Sequence, residues 1–213
     1  MIMNRRIALS LLLLLPTLAS CEPQKTTMSP DAKTAAKMPE VPAGAEVATL
    51  GAGCFWCIGA AYRQLPGVYS ATSGYMGGIV KNPTYEDICN GSSRHAEVVQ
   101  VVFDPKKITY EKVLAWFWDL HDPTTLNRQG NDVGDQYRSA IFYYSDAQKQ
   151  TAEASKAAAK ANFKDPIVTE IIKASEFYPA ENYHQNYYNE NKSKNPYCRF
   201  VIEPKLKKLK LDH

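Results

Sequence analysis

The sequence predicts an α+β fold, in which helices cover a sheet to form a two-layer sandwich. Runs rich in β-branched residues and runs with helical spacing are intermixed after residue 45, without the strict alternation that a parallel α/β sheet requires. The composition supports a packed core, because 45% of the 213 residues are hydrophobic and 11% are aromatic. A chain that is disordered throughout is therefore excluded, and the length allows one ordinary domain with some extra sequence.

A strand, a glycine turn and a helix open the folded part, which we expect to run over residues 46–213. Residues 46–50 are a short apolar strand candidate, and Gly51-Ala52-Gly53 follows directly. Helical spacing then extends over residues 57–65, where Pro66-Gly67 stops it. This unit places a helix start immediately after a strand.

The middle of the chain predicts two more strands and a helix. Residues 68–75 and 97–103 are β-rich, and the valines of the second run are typical of a buried strand. Residues 109–120 predict a helix with Thr109 as its N-cap, because apolar side chains recur at helical spacing. These side chains are Val113, Leu114, Phe117 and Leu120.

The last elements are predicted from local signals. Residues 137–144 are a strand candidate, and Ser145-Asp146-Ala147-Gln148 has the form of a capping box. The alanine-rich segment that follows predicts a helix to about residue 164. Residues 167–172 are strand-like and residues 180–191 are predicted to be helical. The C-terminal tail after them is expected to be mobile.

The first twenty residues read as a secretory signal. Arg5-Arg6, an apolar run over residues 7–15 and then small residues give the order of such a signal, and the run is too short to span a bilayer comfortably. A buried N-terminal helix is the alternative, but no polar face alternates with the leucines. Leu18-Ala19-Ser20-Cys21 resembles a bacterial lipobox, which predicts Cys21 as the lipidated first residue of the mature chain. The alternative interpretation is that Cys21 is an ordinary thiol that is not lipidated.

Residues 21–45 predict a lipidated cysteine followed by a flexible tether. Residues 22–45 contain four prolines and no aromatic side chain, so they cannot bury enough apolar area to fold alone. We therefore expect an exported lipoprotein that faces the periplasm or the extracellular side, with the membrane as a partner through Cys21. The net charge of +3 gives no reason to expect nucleic acid as a partner.

Cys54 is the first candidate for a reactive residue. It lies where the helix starts after the glycine turn, and there the unpaired backbone N–H groups and the helix dipole favour a thiolate over a thiol. A nucleophile is the natural interpretation. The spacing Cys54-x-x-Cys57 also fits a thioredoxin-like redox motif, half of a zinc site, or two inert buried thiols.

Several short polar segments lie between the apolar elements further along the chain. Residues 74–78, Gly-Tyr-Met-Gly-Gly, lack the Lys-Ser/Thr of a phosphate loop and predict a turn in which backbone segments approach closely. The other polar segments are residues 82–86, the pair His95 and Glu97, and residues 127–139. Each of these is also compatible with a solvated loop.

These motifs, taken in order, closely resemble the peptide methionine sulfoxide reductase A family. The resemblance covers residues 47–205, and the combination of GCFW with QYRSAI is highly specific. The matching segments are GCFWC, GYMGG, NPTYE, HAE, FW followed by HDPT, NRQGNDVGDQYRSAI, PIVTE, FYPAENYHQ and PYC. Three positions depart from the family: Cys57 stands where many members have glycine, Gly59 where an acidic residue is common, and Arg94 where glycine usually precedes His-Ala-Glu.

The resemblance implies a ferredoxin-like mixed sheet and thiol-dependent reduction of the S-epimer of methionine sulfoxide, free or in oxidised proteins. It implies that thioredoxin or a similar dithiol recycles the oxidised enzyme. It also implies that the enzyme needs no cofactor and no metal. We expect a monomer. A thiol–disulfide oxidoreductase that uses only Cys54 and Cys57 is the alternative, although it needs neither the acid nor the phenols named next. A membrane-anchored binding protein without activity would leave Cys54 no chemical task.

Roles follow from the resemblance, position by position. Cys54 matches the nucleophile and Glu97 the acid, which an apolar pocket would keep protonated so that it donates as the S–O bond breaks. Tyr85 and Tyr137 match phenols that bind the sulfoxide oxygen, and Asp132 matches a residue that orients substrate. Phe55 and Trp56 are suited to enclosing the methyl group, with plain core packing as the alternative. His95 is expected to be structural.

After the attack, a second thiol must resolve the sulfenic acid of Cys54 to a disulfide. Cys198 on the C-terminal tail is the favoured candidate, because it can swing in. Cys57 is close in sequence and is the other candidate, although it lies one helical turn along among bulky neighbours. Cys89 is expected to be a bystander.

Overall fold

The computed structural model describes residues 34–211. The predicted signal over residues 1–20 and the lipidation site at Cys21 lie outside the described residues. Within residues 34–211, no helix is long and apolar enough to cross a membrane.

The described chain forms eight strands and six α-helices. The strands are β1 (Glu46–Ala52), β2 (Val68–Met76), β3 (Ala96–Phe103), β4 (Arg128–Gln129), β5 (Asp132–Val133), β6 (Ser139–Tyr143), β7 (Glu170–Lys173) and β8 (Tyr178–Pro179). The helices are α1 (Phe55–Tyr62), α2 (Tyr85–Cys89), α3 (Tyr110–Leu120), α4 (Asp146–Ala159), α5 (Tyr187–Asn191) and α6 (Glu203–Lys208). The predicted α+β class with a mixed sheet is confirmed.

Six strands form one mixed sheet in the order β7-β6-β1-β3-β2-β8, and β4 pairs with β5 in a separate hairpin. Only β6 and β7 run parallel within this sheet; its other pairs are antiparallel. β3 lies between β1 and β2, and all eight of its residues are buried, as the run of valines predicts. Side chains alternate between the faces of a strand. Glu97 therefore shares a face with Val99 and Val101, which pack in the main core beneath the helices.

Two apolar clusters hold the layers together. The larger lies between the sheet and the helices, and the Tyr62 hydroxyl in α1 fixes one helix to another by donating to the Val113 carbonyl of α3 at 2.9 Å. The smaller cluster covers part of the opposite face around Met76 and Phe142, with Phe177 packed against it. Burying the larger cluster fixes α1 on the sheet, and with it the position of Cys54.

Helix ends follow the predicted signals. The Thr109 hydroxyl accepts from the backbone N–H of Lys112, which confirms this residue as the N-cap of α3. The Ser145 hydroxyl accepts from the backbone N–H of Gln148 in the same way. The second half of that predicted capping box is displaced by one residue, because the Gln148 side chain accepts from the Tyr144 N–H.

Residues 180–191 are not one helix, contrary to the prediction. A 3₁₀ turn over Asn182–His184 is followed by Asn186 at a φ of +50°, and only then does α5 begin. Gln185 explains the break, because its side chain accepts from the Ser73 N–H and donates to the Ser73 carbonyl, both at 3.0 Å. This pairing with β2 overrides the helical propensity of the segment.

The C-terminal segment, expected to be a mobile tail, is helical and packed in this structure. Cys198–Ile202 form a π-helical turn that leads into α6. Cys198, Ile202 and Leu206 are fully buried in the main core. The thiol of Cys198 is thus held against the domain.

The end of the predicted tether contacts the domain as well. Ala35 pairs with Glu181 in an isolated antiparallel bridge, and the Ala36 N–H donates to the Ala180 carbonyl at 3.0 Å. Residues 34–36 therefore lie along the loop that follows β8.

Glycine geometry supports two features of the sequence. Of residues 74–78, the first three end β2, contrary to the predicted turn, and the chain bends only at Gly77, which has a φ of +83°, and Gly78. A β-carbon on Gly78 would lie 2.3 Å from the Ser93 carbonyl oxygen, so the predicted close approach of backbone segments is confirmed. Arg94, the departure before His-Ala-Glu, has a φ of +56°. Glycine adopts this conformation without strain, whereas a residue with a side chain pays roughly 1–2 kcal/mol.

Candidate active site

Cys54 lies in the turn between β1 and α1, at the N-cap position of the helix. Gly53 before it has a φ of +83°, and a β-carbon there would lie 2.6 Å from that of Gln129. The glycine therefore lets the hairpin of β4 and β5 approach the cysteine closely. Cys54 itself is only 7% exposed.

Glu97 is bound to the start of the same helix. It is 1% exposed, and its Oε2 accepts from the backbone N–H of Phe55 at 3.0 Å. This N–H belongs to the first turn of α1, where backbone donors have no partner within the helix. The bond fixes the carboxyl group beside Cys54.

The electrostatics of Cys54 differ from the expected thiolate at a helix terminus. Burial raises the pKa of Cys54 well above its ordinary value, and the hydrogen bond to Cys57 and the charges of Cys57, Glu97 and Asp132 raise it further. These effects outweigh the helix dipole. Burial and these neighbours therefore favour the thiol form of Cys54 over the thiolate.

Cys57 carries the opposite shift. The hydrogen bond from the Cys54 thiol is the main cause that lowers the pKa of Cys57 to about 7, with help from the charge of Lys205 and the hydroxyl of Tyr197. Cys198 also interacts with this pair: burial raises the pKa of Cys198 to about 11, and the charge of Cys57 adds to the shift. Three thiols are thus clustered at the start of α1.

All four cysteines in the described part of the chain are free thiols, and Cys89 lies apart from the cluster on α2. Within residues 34–211, no three His, Cys, Asp or Glu side chains come together in a group that could hold a metal ion.

Asp132 lies on β5 and approaches Cys54 closely enough to affect its pKa. Its Oδ2 accepts from the Tyr197 hydroxyl at 2.8 Å, and burial raises the pKa of Asp132. The same hydroxyl lies 3.9 Å from the Cys57 sulfur. This contact connects the hairpin to the C-terminal segment across the thiols.

The two predicted phenols lie on different elements. Tyr137 is buried and ends a 3₁₀ turn just before β6, whose first residue, Ser139, pairs with Ala52 next to the cysteine turn. Tyr85 is half-buried and begins α2, where Thr84 forms a capping box with Asp87. The Tyr85 ring contacts the His184 ring, with the centroids 4.4 Å apart.

Phe55 and Trp56 occupy different environments. Phe55 is 1% exposed, and its ring packs in the core against Tyr75 and His184, with centroids 5.9 and 4.9 Å away. Trp56 is half-buried; Tyr187 stacks on it at 3.7 Å, and Tyr197 meets it edge-on at 5.8 Å. Phe55 is thus enclosed by the core, whereas Trp56 keeps part of its ring accessible.

His95 bonds only to backbone groups through its ring nitrogens. Nδ1 accepts from the Gly78 N–H at 3.0 Å, and Nε2 lies 2.8 Å from the Val80 carbonyl oxygen, to which it donates. The expected structural role is confirmed.

Four residues of the site were not found from the sequence: Glu181, His184, Tyr187 and Tyr197. They lie in the aromatic-rich segment after β8, which has no clear periodicity. The unusual density of tyrosines there was the available signal, since aromatic side chains at this density need partners to bury them.

Comparisons with known proteins agree on one family. The model of the peptide methionine sulfoxide reductase family matches residues 46–213. A peptide methionine sulfoxide reductase MsrA from Leptospira borgpetersenii serovar Hardjo-bovis is 55% identical over 163 residues, which cover 76% of this chain and 92% of that protein.

Solved structures are similar as well. The crystal structure of Mxr1 from Saccharomyces cerevisiae in reduced form has a TM-score of 0.69 and 35% identity, and the match covers 72% of this chain and 90% of that chain. The crystal structure of Mxr1 in complex with Trx2 has a TM-score of 0.51 and 28% identity, covering 70% of this chain and 89% of that chain.

Proposed function

The chain belongs to the peptide methionine sulfoxide reductase family, and from that membership we propose that Cys54 is the thiol that takes the sulfoxide oxygen. The protein is an oxidoreductase that reduces the S-epimer of methionine sulfoxide to methionine. The observation that carries the assignment is the position of Cys54 at the N-cap of α1, next to the Phe55 N–H that donates to the buried Glu97 carboxyl group. A pure thiol–disulfide oxidoreductase is not favoured, because disulfide exchange needs no buried acid.

The first step transfers one oxygen atom. The Cys54 sulfur attacks the sulfoxide sulfur, Glu97 gives a proton to the oxygen, and the S–O bond breaks to leave methionine and a Cys54 sulfenic acid. The sulfoxide is reduced by two electrons and the thiol is oxidised by two. The proton of the Cys54 thiol passes to the Cys57 thiolate, so the negative charge moves from Cys57 to Glu97 and the total charge is unchanged.

Binding uses the surrounding polar and aromatic groups. The Tyr85 and Tyr137 hydroxyls donate to the sulfoxide oxygen as its charge grows, which stabilises the transition state more than the bound substrate. Trp56, Tyr187 and Tyr197 enclose the methyl group, and Asp132 orients the substrate and holds Tyr197. Phe55 supports these groups from the core.

Cys57 is the thiol that the geometry favours for resolving the sulfenic acid. The two thiols are close enough to shift each other's pKa, and the pKa of Cys57, about 7, supplies a thiolate at neutral pH. The Cys57 sulfur attacks the Cys54 sulfur, hydroxide leaves and takes up the Cys57 proton as water, and a Cys54–Cys57 disulfide remains. Cys198, which the sequence favoured, is buried beside Cys57 and is the second thiol of the cluster.

The resolving step can be tested with cysteine variants. Cys57→Ser should still form one equivalent of methionine and then turn over at least ~10-fold more slowly with thioredoxin, because its sulfenic acid lacks an adjacent thiolate. Cys198→Ser should turn over and yield a Cys54–Cys57 disulfide, identified by mass spectrometry after one turnover. Cys89→Ser on α2 is the matched control. Sustained turnover in Cys57→Ser, lost in Cys198→Ser, would assign the step to Cys198.

The disulfide is reduced by a thioredoxin-like dithiol, and no prosthetic group is required. The structure of the yeast relative Mxr1 in complex with Trx2 supports this partner. Methionine formation from the sulfoxide, driven first by dithiothreitol and then by thioredoxin, tests the activity and the recycling separately.

We also propose that the protein is an exported lipoprotein anchored through Cys21. The support is the sequence alone, in which a signal-like segment ends in Leu18-Ala19-Ser20-Cys21 and a proline-rich stretch precedes the domain. Cys21→Ser should move the protein from the membrane fraction to the soluble fraction after export. The proposal fails if the variant remains as firmly bound as the wild type.

A further inference from the structure

The described residues bury two carboxyl side chains, those of Glu97 and Glu181. The proposed reaction uses only Glu97. Glu181 is 9% exposed and follows β8 directly. A buried carboxylate is costly unless hydrogen bonds satisfy its oxygens, so its partners indicate what it is for.

Glu181 joins two elements of the site. Its Oε1 accepts from the backbone N–H of Tyr85 at 2.8 Å, and its Oε2 accepts from the Tyr75 hydroxyl at 2.8 Å. Acceptance at both oxygens is the pattern of an ionised carboxylate. Tyr75 lies opposite Glu97 in the pairing of β2 with β3 and packs on Phe55. Glu181 therefore fixes the start of α2, and so Tyr85, relative to the sheet strand next to the acid.

His184 continues these contacts to Trp56. It is 1% exposed, its ring contacts those of Phe55, Trp56 and Tyr85, and its Nδ1 accepts from the Trp56 indole N–H at 3.0 Å. Burial lowers the pKa of His184 to about 3, so the ring is neutral and its proton is on Nε2.

The His184 Nε2–H faces the Glu181 carboxylate. The Nε2 to Oε2 distance is 3.8 Å, and Nε2 has no hydrogen-bond partner among residues 34–211. The carboxylate charge favours the Nε2–H form of the ring at this distance, and that form is the one that leaves Nδ1 as an acceptor for Trp56.

We propose that Glu181 and His184 are positioning residues for sulfoxide reduction, which hold the Tyr85 phenol and the Trp56 indole in place around the substrate. This inference rests on the proposed roles of Tyr85 and Trp56. Neither Glu181 nor His184 touches the reacting atoms. They act by fixing a donor to the sulfoxide oxygen and a wall of the methyl pocket, and small displacements of such groups reduce rates strongly.

Glu181→Gln is the first test. Glutamine keeps the shape but is neutral: its carbonyl can accept from the Tyr85 N–H, whereas its NH₂ can only donate to the Tyr75 hydroxyl. The bond to Tyr75 is therefore reversed, and the charge that faces the His184 Nε2–H is lost. We expect kcat/KM for the S-sulfoxide to fall ~10- to 100-fold, with the loss in the first turnover. Reduction of the preformed disulfide by thioredoxin involves no sulfoxide oxygen and should keep its wild-type rate.

The matched control is Glu176→Gln. Glu176 accepts from the Tyr178 hydroxyl at 2.7 Å in the same segment, but at the surface. It should leave both rates unchanged. A merely structural role for Glu181 predicts instead that its variant loses both rates in proportion to the folded fraction, and that result overturns the proposal.

His184→Phe gives an independent test. It keeps an aromatic ring among the same neighbours and removes the acceptor for the Trp56 N–H. We expect KM for the sulfoxide to rise and the first turnover to slow, while thioredoxin still reduces the disulfide. Wild-type sulfoxide kinetics in folded Glu181→Gln or folded His184→Phe would refute the positioning role. Wild-type kinetics in Tyr85→Phe and Trp56→Phe would instead refute the proposed roles of those residues.

Discussion

Cys54→Ser is expected to abolish reduction of methionine sulfoxide, including the first equivalent of methionine. A serine hydroxyl does not ionise near neutral pH and cannot accept the oxygen as a sulfenic acid. The change removes one sulfur atom and leaves the turn and the Glu97 contact with the Phe55 N–H in place. Loss of activity in a folded variant therefore reports on chemistry. The measurement is methionine formed from the S-sulfoxide with excess dithiothreitol.

The variant also shows which of the two cysteines, Cys54 or Cys57, is the nucleophile. Cys57 has the lower pKa, so thiolate content alone would favour Cys57 as the nucleophile. Position favours Cys54, which precedes the helix beside Glu97, whereas Cys57 lies within it. Activity of Cys54→Ser above a few per cent of wild type, with none in Cys57→Ser, would transfer the nucleophilic role to Cys57. Cys89→Ser should retain full activity as the control.

The fold was largely predictable where local signals and burial agree. The valine run of β3 marked the central strand, and Thr109 and Ser145 marked two helix starts that the structure confirms. The hairpin of β4 and β5 was not predicted, because strands of two residues show no periodicity. The break before α5 was missed because Gln185 pairs with Ser73, a contact between distant parts of the chain.

The sequence predicted which residues would come together better than it predicted their pKa shifts. Cys54, Glu97 and Asp132, which are far apart in sequence, interact in the structure. The direction of the Cys54 pKa shift was not predictable, because it depends mainly on burial, which the packed C-terminal segment helps to produce. The contact between Tyr197 and Asp132 is also a property of the tertiary structure.

Glu97→Gln is expected to slow the first turnover by ~10² to 10⁴, the usual size for a positioned general acid. The glutamine carbonyl can still accept from the Phe55 N–H, and its NH₂ can donate to the sulfoxide oxygen. It has no proton to transfer. The methionine formed in the first turnover, followed by quench flow, should therefore appear slowly, while thioredoxin reduces the preformed disulfide at the wild-type rate.

Two comparisons make the Glu97 result decisive. Glu153→Gln changes an exposed carboxylate on α4, far in the sequence from the thiols, and should leave the first turnover unchanged. Glu97→Asp keeps a transferable proton, but its side chain is one methylene shorter and holds the carboxyl group further from the sulfoxide. The rate of its first turnover should therefore lie between those of wild type and Glu97→Gln. If Glu97→Gln instead forms its first equivalent of methionine within a few-fold of the wild-type rate, hydrogen bonding alone activates the sulfoxide, and Tyr85 and Tyr137 become the groups that supply it.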